Sequence, residues 1–92
     1  MELTSKRRAE LKAQAHSLDS VAQIGKLGVT PEALAHIDKA LADHQLIKVK
    51  FIDFKETRRG LSEEIAGATS SILIDVIGNV AILYREKHEM SS

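Results

Sequence analysis

The chain has no cysteine and no tryptophan, and a single proline, Pro31. Lacking cysteine, it has no disulfide framework, no thiol nucleophile and no zinc site that needs thiolate. Aromatic residues make up 3% of the sequence, namely Phe51, Phe54 and Tyr84, so the core must be aliphatic. No apolar run approaches the ~20 residues of a membrane span. The opening stretch, MELTSKRRAELK, is charged and lacks the apolar segment of a secretory signal. We therefore expect a cytoplasmic protein with no membrane partner. Net charge is absent as well, with 13 basic and 13 acidic residues. Bulk charge therefore gives no argument for a polyanionic partner.

What is present is 92 residues, 43% of them hydrophobic, enough for one domain with a modest core. Thr4 to Ser17 reads as a helix, with Leu3, Leu11, Ala15 and Leu18 near one stripe and Arg7, Arg8 and Lys12 turned away from it. Thr4 or Ser5 is the candidate cap. Val21 to Ile24 is a short strand. The second helix is the clearest element: Thr30 is a good N-cap, Pro31 suits the first helical position, and Glu32 suits the positive end of the dipole. Leu34, Ile37 and Leu41 form its buried stripe, and it should end near His44.

Leu46 to Ile52 alternates as a strand. Ile47, Val49 and Phe51 point to one face, and Lys48 and Lys50 to the other. Asp53 with Glu56 resembles a capping box for a third helix, with Leu61, Ile65 and Ala68 as its core stripe. Inside that helix Gly60 costs ~1 kcal/mol relative to Ala, and Arg58 and Arg59 sit at the end where the dipole favours anions. SILIDVI and VAILYR flank Gly78-Asn79, which signals a hairpin. The order α-β-α-β-α-β-β implies a mixed four-stranded sheet with helices packed on it, an α/β chain of the two-layer α+β kind. The single domain spans 1–92, with its core at about 3–87 and a polar tail at 88–92.

The stretch QIGKLGVTPEAL carries the strongest functional signal. Gly25, Lys26, Leu27 and Gly28 form the turn between the first strand and the second helix. Glycines at such turns need no ligand to explain them. Here, though, a cation sits at the tip, and the free N–H groups of a helix start follow within a few residues. The stretch lacks the spacing of a P-loop and the third glycine of a dinucleotide fold. A G-x-x-G loop is the backbone clamp of KH domains. From Leu46 to Gly60 there are five cations and two anions, so a neutral protein can carry a basic face.

LTSKRRAELKAQAHSL, QIGKLGVTPEALAHIDKALADHQLIKVKF and VIGNVAILYR resemble the CRM domain, named for chloroplast RNA splicing and ribosome maturation, in its stand-alone bacterial YhbY-like form. The resemblance covers about residues 3 to 87. It implies a fold similar to the C-terminal domain of bacterial translation initiation factor three. It also implies RNA binding, with ribosomal RNA in large-subunit precursors as the partner, and no enzymatic activity. Gly25, Lys26 and Gly28 match the family's loop, Lys48 and Lys50 its basic strand, and Tyr84 and Arg85 its last strand. Where the family often has Lys-Pro, this chain has Asp19-Ser20, and Gln45 replaces an acidic residue. The expected RNA-binding set is Gly25, Lys26, Leu27, Gly28, Lys48, Lys50, Arg58, Arg59, Arg7, Arg8, Lys12 and Arg85.

Rival chemistries fare poorly. His36 and His44 lie roughly 12 Å apart along one helix, too far for one metal, and adjacent Asp43 and His44 point in different directions. We expect no metal, no cofactor and no catalytic residues, in a monomer. The alternative is a protein–protein adaptor on the same fold. Three aromatics argue against stacked-base readout and for recognition of backbone and shape.

Overall fold

A computed structural model describes residues 3–86. Its elements are α1 (Ser5–Ala15), β1 (Ser20–Ile24), α2 (Pro31–His44), β2 (Leu46–Phe51), α3 (Arg58–Ala68), β3 (Ile72–Ile77) and β4 (Val80–Tyr84), in the order expected. The polar tail expected at 88–92 lies outside the described residues. No helix among the described residues is long and apolar enough to cross a membrane.

The sheet runs β1-β2-β4-β3. β1 is parallel to β2, and β4 is antiparallel to both β2 and β3. Both helical crossovers thus link parallel strands, with β4 inserted between the second pair. The β3–β4 turn is Gly78-Asn79, and Gly78 takes φ 59°, which glycine adopts without a Cβ clash. α2 begins and ends where its caps dictate. Thr30 Oγ1 accepts from Ala33 N at 3.1 Å, and Gln45 turns the chain at φ 66° into β2.

β2 divides its side chains as its alternation requires. Ile47, Val49 and Phe51 enter the main core with Ile24, Ile37, Leu41, Ile65 and Leu83, beneath α2 and α3. Leu46 faces the reverse side, where Leu11 and Ala15 of α1 meet Ile74, Ile82 and Tyr84. Two helices therefore layer on one face of the sheet, and α1 crosses the other. Each fully buried Leu, Ile or Phe contributes ~1.5–3 kcal/mol relative to exposure.

Two local expectations fail for identifiable reasons. The Asp53–Glu56 capping box does not form, because α3 starts only at Arg58. Asp53 Oδ1 instead accepts from the next N–H, that of Phe54, at 2.7 Å. Gly60 thus lies in the exposed first turn of α3 rather than its interior, and Ser62, whose hydroxyl donates to Arg58 O at 2.6 Å, shares the buried stripe with Ile65 and Ala66, while Ala68 is exposed. On α1, Arg8 and Lys12 are not turned away from the fold. Arg8 Nη1 donates to the Leu73 and Ile74 carbonyls at 2.9 Å, and Lys12 Nζ lies 2.8 Å from Asp75 Oδ2. Both side chains are long enough to reach past α1's apolar stripe to the edge of β3.

Asp75 is the tie at that edge. It receives Lys12 from α1 on one face and Arg59 of α3, 3.2 Å from Oδ1, from the other. Hydrogen bonding from Lys12, aided by the Val76 N–H and Arg59, holds the Asp75 carboxyl below its usual range against the opposing effect of burial. A depressed folded-state value means that the stabilisation is present above the unfolded value of about 3.9 and is lost as pH falls through the folded value. Asp75→Asn should therefore lower the melting temperature at neutral pH, and the difference from wild type should shrink in melts taken progressively below pH 4. A constant difference across that range would show that the ion pairs are not its source.

Candidate nucleic-acid interface

Backbone hydrogen bonds bring three loops to one end of the sheet. Ile52 N donates to Ile24 O at 2.9 Å, joining the loop after β2 to the loop after β1. Phe51 N donates to Asn79 O at 2.7 Å, joining the β3–β4 turn to the end of β2. Arg58 adds a long hydrogen bond, 3.4 Å, from Nη1 to Gly78 O. Residues 25–30, 52–57 and 78–79 thus form one rim, where the carboxyl ends of β1 and β2 meet.

The glycine loop is a β-turn closed by Gly28 N donating to Gly25 O at 2.9 Å. Lys26 and Leu27 occupy its two central positions and are exposed. The two glycines differ in what the fold asks of them. Gly28 has φ 74°, so the turn requires it regardless of any ligand. Space is not the constraint there, since an added Cβ would sit 3.6 Å from Phe54 Cζ, an ordinary contact. At Gly25 φ is not in the left-handed region, and an added Cβ would meet nothing within 4 Å. The fold therefore does not explain Gly25. Phe54 itself adopts φ 65°, an unusual conformation for a bulky residue, and lays its ring against the loop.

The expected basic residues do not form one surface. Arg8, Lys12 and Arg59 are bonded around the edge of β3, as described. Arg85 lies at the far end of the sheet, 2.6 Å from Asp38 Oδ1, and also donates to Thr69 O at 2.8 Å. Arg7 stacks over Tyr84 with its guanidinium carbon 5.6 Å from the ring centroid. Lys48 and Lys50 project from the α1 side of the sheet, away from Arg59 on α3. Lys48 Nζ donates to Leu18 O at 2.7 Å. By contrast, Lys6, Lys26, Lys50 and Lys55 have no hydrogen bond or ion pair with another described residue; Lys6 stands at the start of α1, beside Arg7 and away from the rim. The other three stand on or beside the rim, with Arg58.

A second feature of the rim is apolar. Leu27 is 88% exposed, Ile52 60% and Ile77 50%. In the sequence Ile52 continues the Lys48–Lys50 face of its strand, while no sequence signal marks Ile77 as exposed. A hollow of about 150 Å³ on the α1 side, bounded by Ala15, His16, Lys48, Ile77, Val80 and Ile82, opens beside Lys50. A larger one of about 340 Å³ lies toward the opposite end, among Gln14, Leu18, Asp19, Val21, His44, Leu46 and Ile47, and carries no lysine or arginine. No group of three or more His, Asp or Glu residues among those described is placed to hold a metal.

The architecture defines a class: a small α+β domain with a mixed sheet whose glycine turn and unpaired cations gather at the carboxyl ends of two parallel strands. Residues 3–85 match the CRS1 / YhbY (CRM) domain, and the chain belongs to that family. Among its relatives, Probable RNA-binding protein PA4753 of Pseudomonas aeruginosa is 36% identical over 87 residues, covering 94% of this chain and 84% of that protein. Probable RNA-binding protein YqeI of Bacillus subtilis is 34% identical over 88 residues, covering 95% and 92%. The solution structure of SAV1595 from Staphylococcus aureus superposes with a TM-score of 0.82 at 36% identity, covering 98% of this chain and 95% of that one.

The contrast between the two glycines is measurable without any ligand. Gly25→Ala should melt at or slightly above the wild-type temperature, because a compatible Gly→Ala change restricts the unfolded chain. Gly28→Ala should be less stable by ~1 kcal/mol, the cost of placing a Cβ in the left-handed region. Equal melting of the two variants would contradict this account of the turn.

Proposed function

We propose that this protein binds RNA through the rim formed by the Gly25–Gly28 turn, the loop after β2 and the β3–β4 turn. We further propose that its RNA is ribosomal, bound in precursors of the large subunit, where the protein acts as a cytoplasmic assembly factor and not as an enzyme. The observation that carries the site is the distribution of free cations. Three of the four unpaired cations of the described residues, Lys26, Lys50 and Lys55, gather at one end, with Lys6 the exception on α1, whereas Arg8, Lys12, Arg59 and Arg85 are consumed in internal bonds. An exposed cation without an internal partner loses less on meeting a phosphate, because no existing bond is broken. The G-K-L-G turn adds a tip without bulk at Gly25, a lysine beside it, and the N-terminus of α2 close behind. The names of the related proteins support the RNA partner. The ribosomal target rests on the resemblance of the motifs.

The cellular target is tested by purifying the protein from cells in low salt and sequencing the RNA that accompanies it. Enrichment of large-subunit precursor RNA is expected, and enrichment of unrelated RNA would refute the ribosomal assignment. The site is tested by the salt dependence of affinity. Each phosphate contact to single-stranded RNA contributes roughly 0.7 to the slope of log affinity against log salt. Lys26→Ala and Lys50→Ala together should flatten the slope on the order of 1 to 1.5 and leave melting unchanged. Lys48→Ala should act less than Lys50→Ala, since Lys48 is held by Leu18 O. Arg85→Ala should lower stability and leave the slope alone. A slope insensitive to both rim lysines would remove the rim from the site and favour an adaptor role.

A further inference from the structure

Among the described residues, apolar exposure is concentrated where three of the four unpaired cations are. Of the large hydrophobic residues exposed among those described, Leu27, Ile52 and Ile77 lie at the rim, and Leu18, the least exposed at 38%, lies outside it. Leu27 is the extreme case. It occupies a central position of a turn whose closing bond runs between the two flanking glycines, at 2.9 Å, so its side chain is carried outward. Nothing in the core depends on it, because it belongs to neither apolar cluster. Ile52 is tied to the same corner through its N–H bond to Ile24 O, and Ile77 stands opposite Val80, itself opposite Lys50.

A surface that only followed a duplex backbone would gain nothing from aliphatic tips among its lysines, since phosphates and riboses offer them little apolar area. Bases offer such area once they are unstacked or unpaired, and apolar side chains, Leu and Ile among them, wedge between base steps and unstack them in architectural DNA complexes. Charge complementarity favours a nucleic acid over an apolar protein ligand, because Lys26 adjoins Leu27 directly and Lys50 lies between Ile52 and Val80. We propose that Leu27 and Ile52 contact unpaired bases of the bound RNA, so that the rim recognises a bulge, loop or junction rather than a continuous duplex. The inference rests on the RNA-binding reading above and specifies its substrate class. It also revises the expectation, drawn from the scarcity of aromatics, that backbone and shape alone are recognised. Aliphatic tips supply the base contact that aromatic rings supply elsewhere.

The test uses two RNA hairpins with the same stem, one fully paired and one carrying a three-nucleotide bulge. Affinity for each is measured by fluorescence anisotropy over a salt series with the wild-type protein, Leu27→Ser, Ile52→Ser and Lys26→Ala. Melting is recorded for every variant. The wild type should prefer the bulged hairpin by about tenfold, the scale expected from burying one aliphatic side chain. Leu27→Ser should remove most of that preference without altering the salt slope, and Ile52→Ser should act in the same direction. Lys26→Ala should weaken both hairpins alike and flatten the slope. The proposal is overturned if the wild type binds both hairpins equally, or if the serine variants bind as wild type, which would take the apolar tips out of the RNA contact. An equal loss on both hairpins also overturns it. Failure of the wild type to bind either hairpin would strike at the RNA-binding reading itself, a result distinct from binding without preference.

Discussion

Strand β2 is the constraint on which the other elements depend. Its alternation sends Ile47, Val49 and Phe51 into the main core and leaves Leu46, Lys48 and Lys50 on the reverse side. Because the period is two, a slip of one residue would bury both lysines and expose Phe51. The register is therefore pinned by the cost of burying two ammonium groups as well as by apolar burial. With β2 fixed, β1 must pair on one side and β4 on the other, and the residues that follow each strand are delivered to a common end. The proposed RNA-binding rim is a consequence of that register: Ile52 N meets Ile24 O, and Phe51 N meets Asn79 O, only in this alignment.

The zero net charge conceals a division of labour among the cations. Most arginines of the described chain act as structural donors. Arg8 caps two carbonyls of the edge strand β3, Arg59 helps Lys12 to close the sheet edge on Asp75, and Arg85 ties the end of β4 to Asp38 and Thr69. The planar, multi-donor guanidinium suits such fixed geometry. Lys26, Lys50 and Lys55 at the rim stay exposed and without an internal partner. The Arg8 bonds also occupy carbonyls of β3 that would otherwise be open to a passing strand. At the other edge, exposed His36 plays a similar part, donating from Nε2 to Val21 O at 2.7 Å.

Much of the fold could be read from the sequence, because the relevant signals are local. Thr30-Pro31-Glu32 defines the start of α2, the LIKVKF alternation defines β2, and Gly78-Asn79 defines the hairpin. Where local chemistry admits two outcomes, the reading fails. Asp53 is a valid cap, yet its carboxylate is taken by the adjacent Phe54 N–H, and α3 begins later. Helical periodicity places Arg8 and Lys12 off the apolar stripe of α1, but it does not show that the β3 edge lies within reach of their long side chains. The glycine loop and Lys50 were legible as site candidates, since a turn and an alternating strand state their exposure directly. Lys55 and Ile77 were not, because their place at the rim follows from which loops meet there, a property of the whole topology. Charge counts have the same weakness: they do not separate a lysine that is free from an arginine already bonded within the fold.

RNA is proposed to meet the end of the sheet that carries the glycine turn. The most direct measurement is a titration of isotope-labelled protein with a short bulged RNA hairpin, following every backbone amide by heteronuclear NMR. The account predicts that shift changes concentrate in residues 25–28, 50–55 and 77–80, with the far end around Asp38, Gln45 and Arg85 unmoved. Changes centred on that far end, or on the hollow between Gln14 and His44, would contradict it.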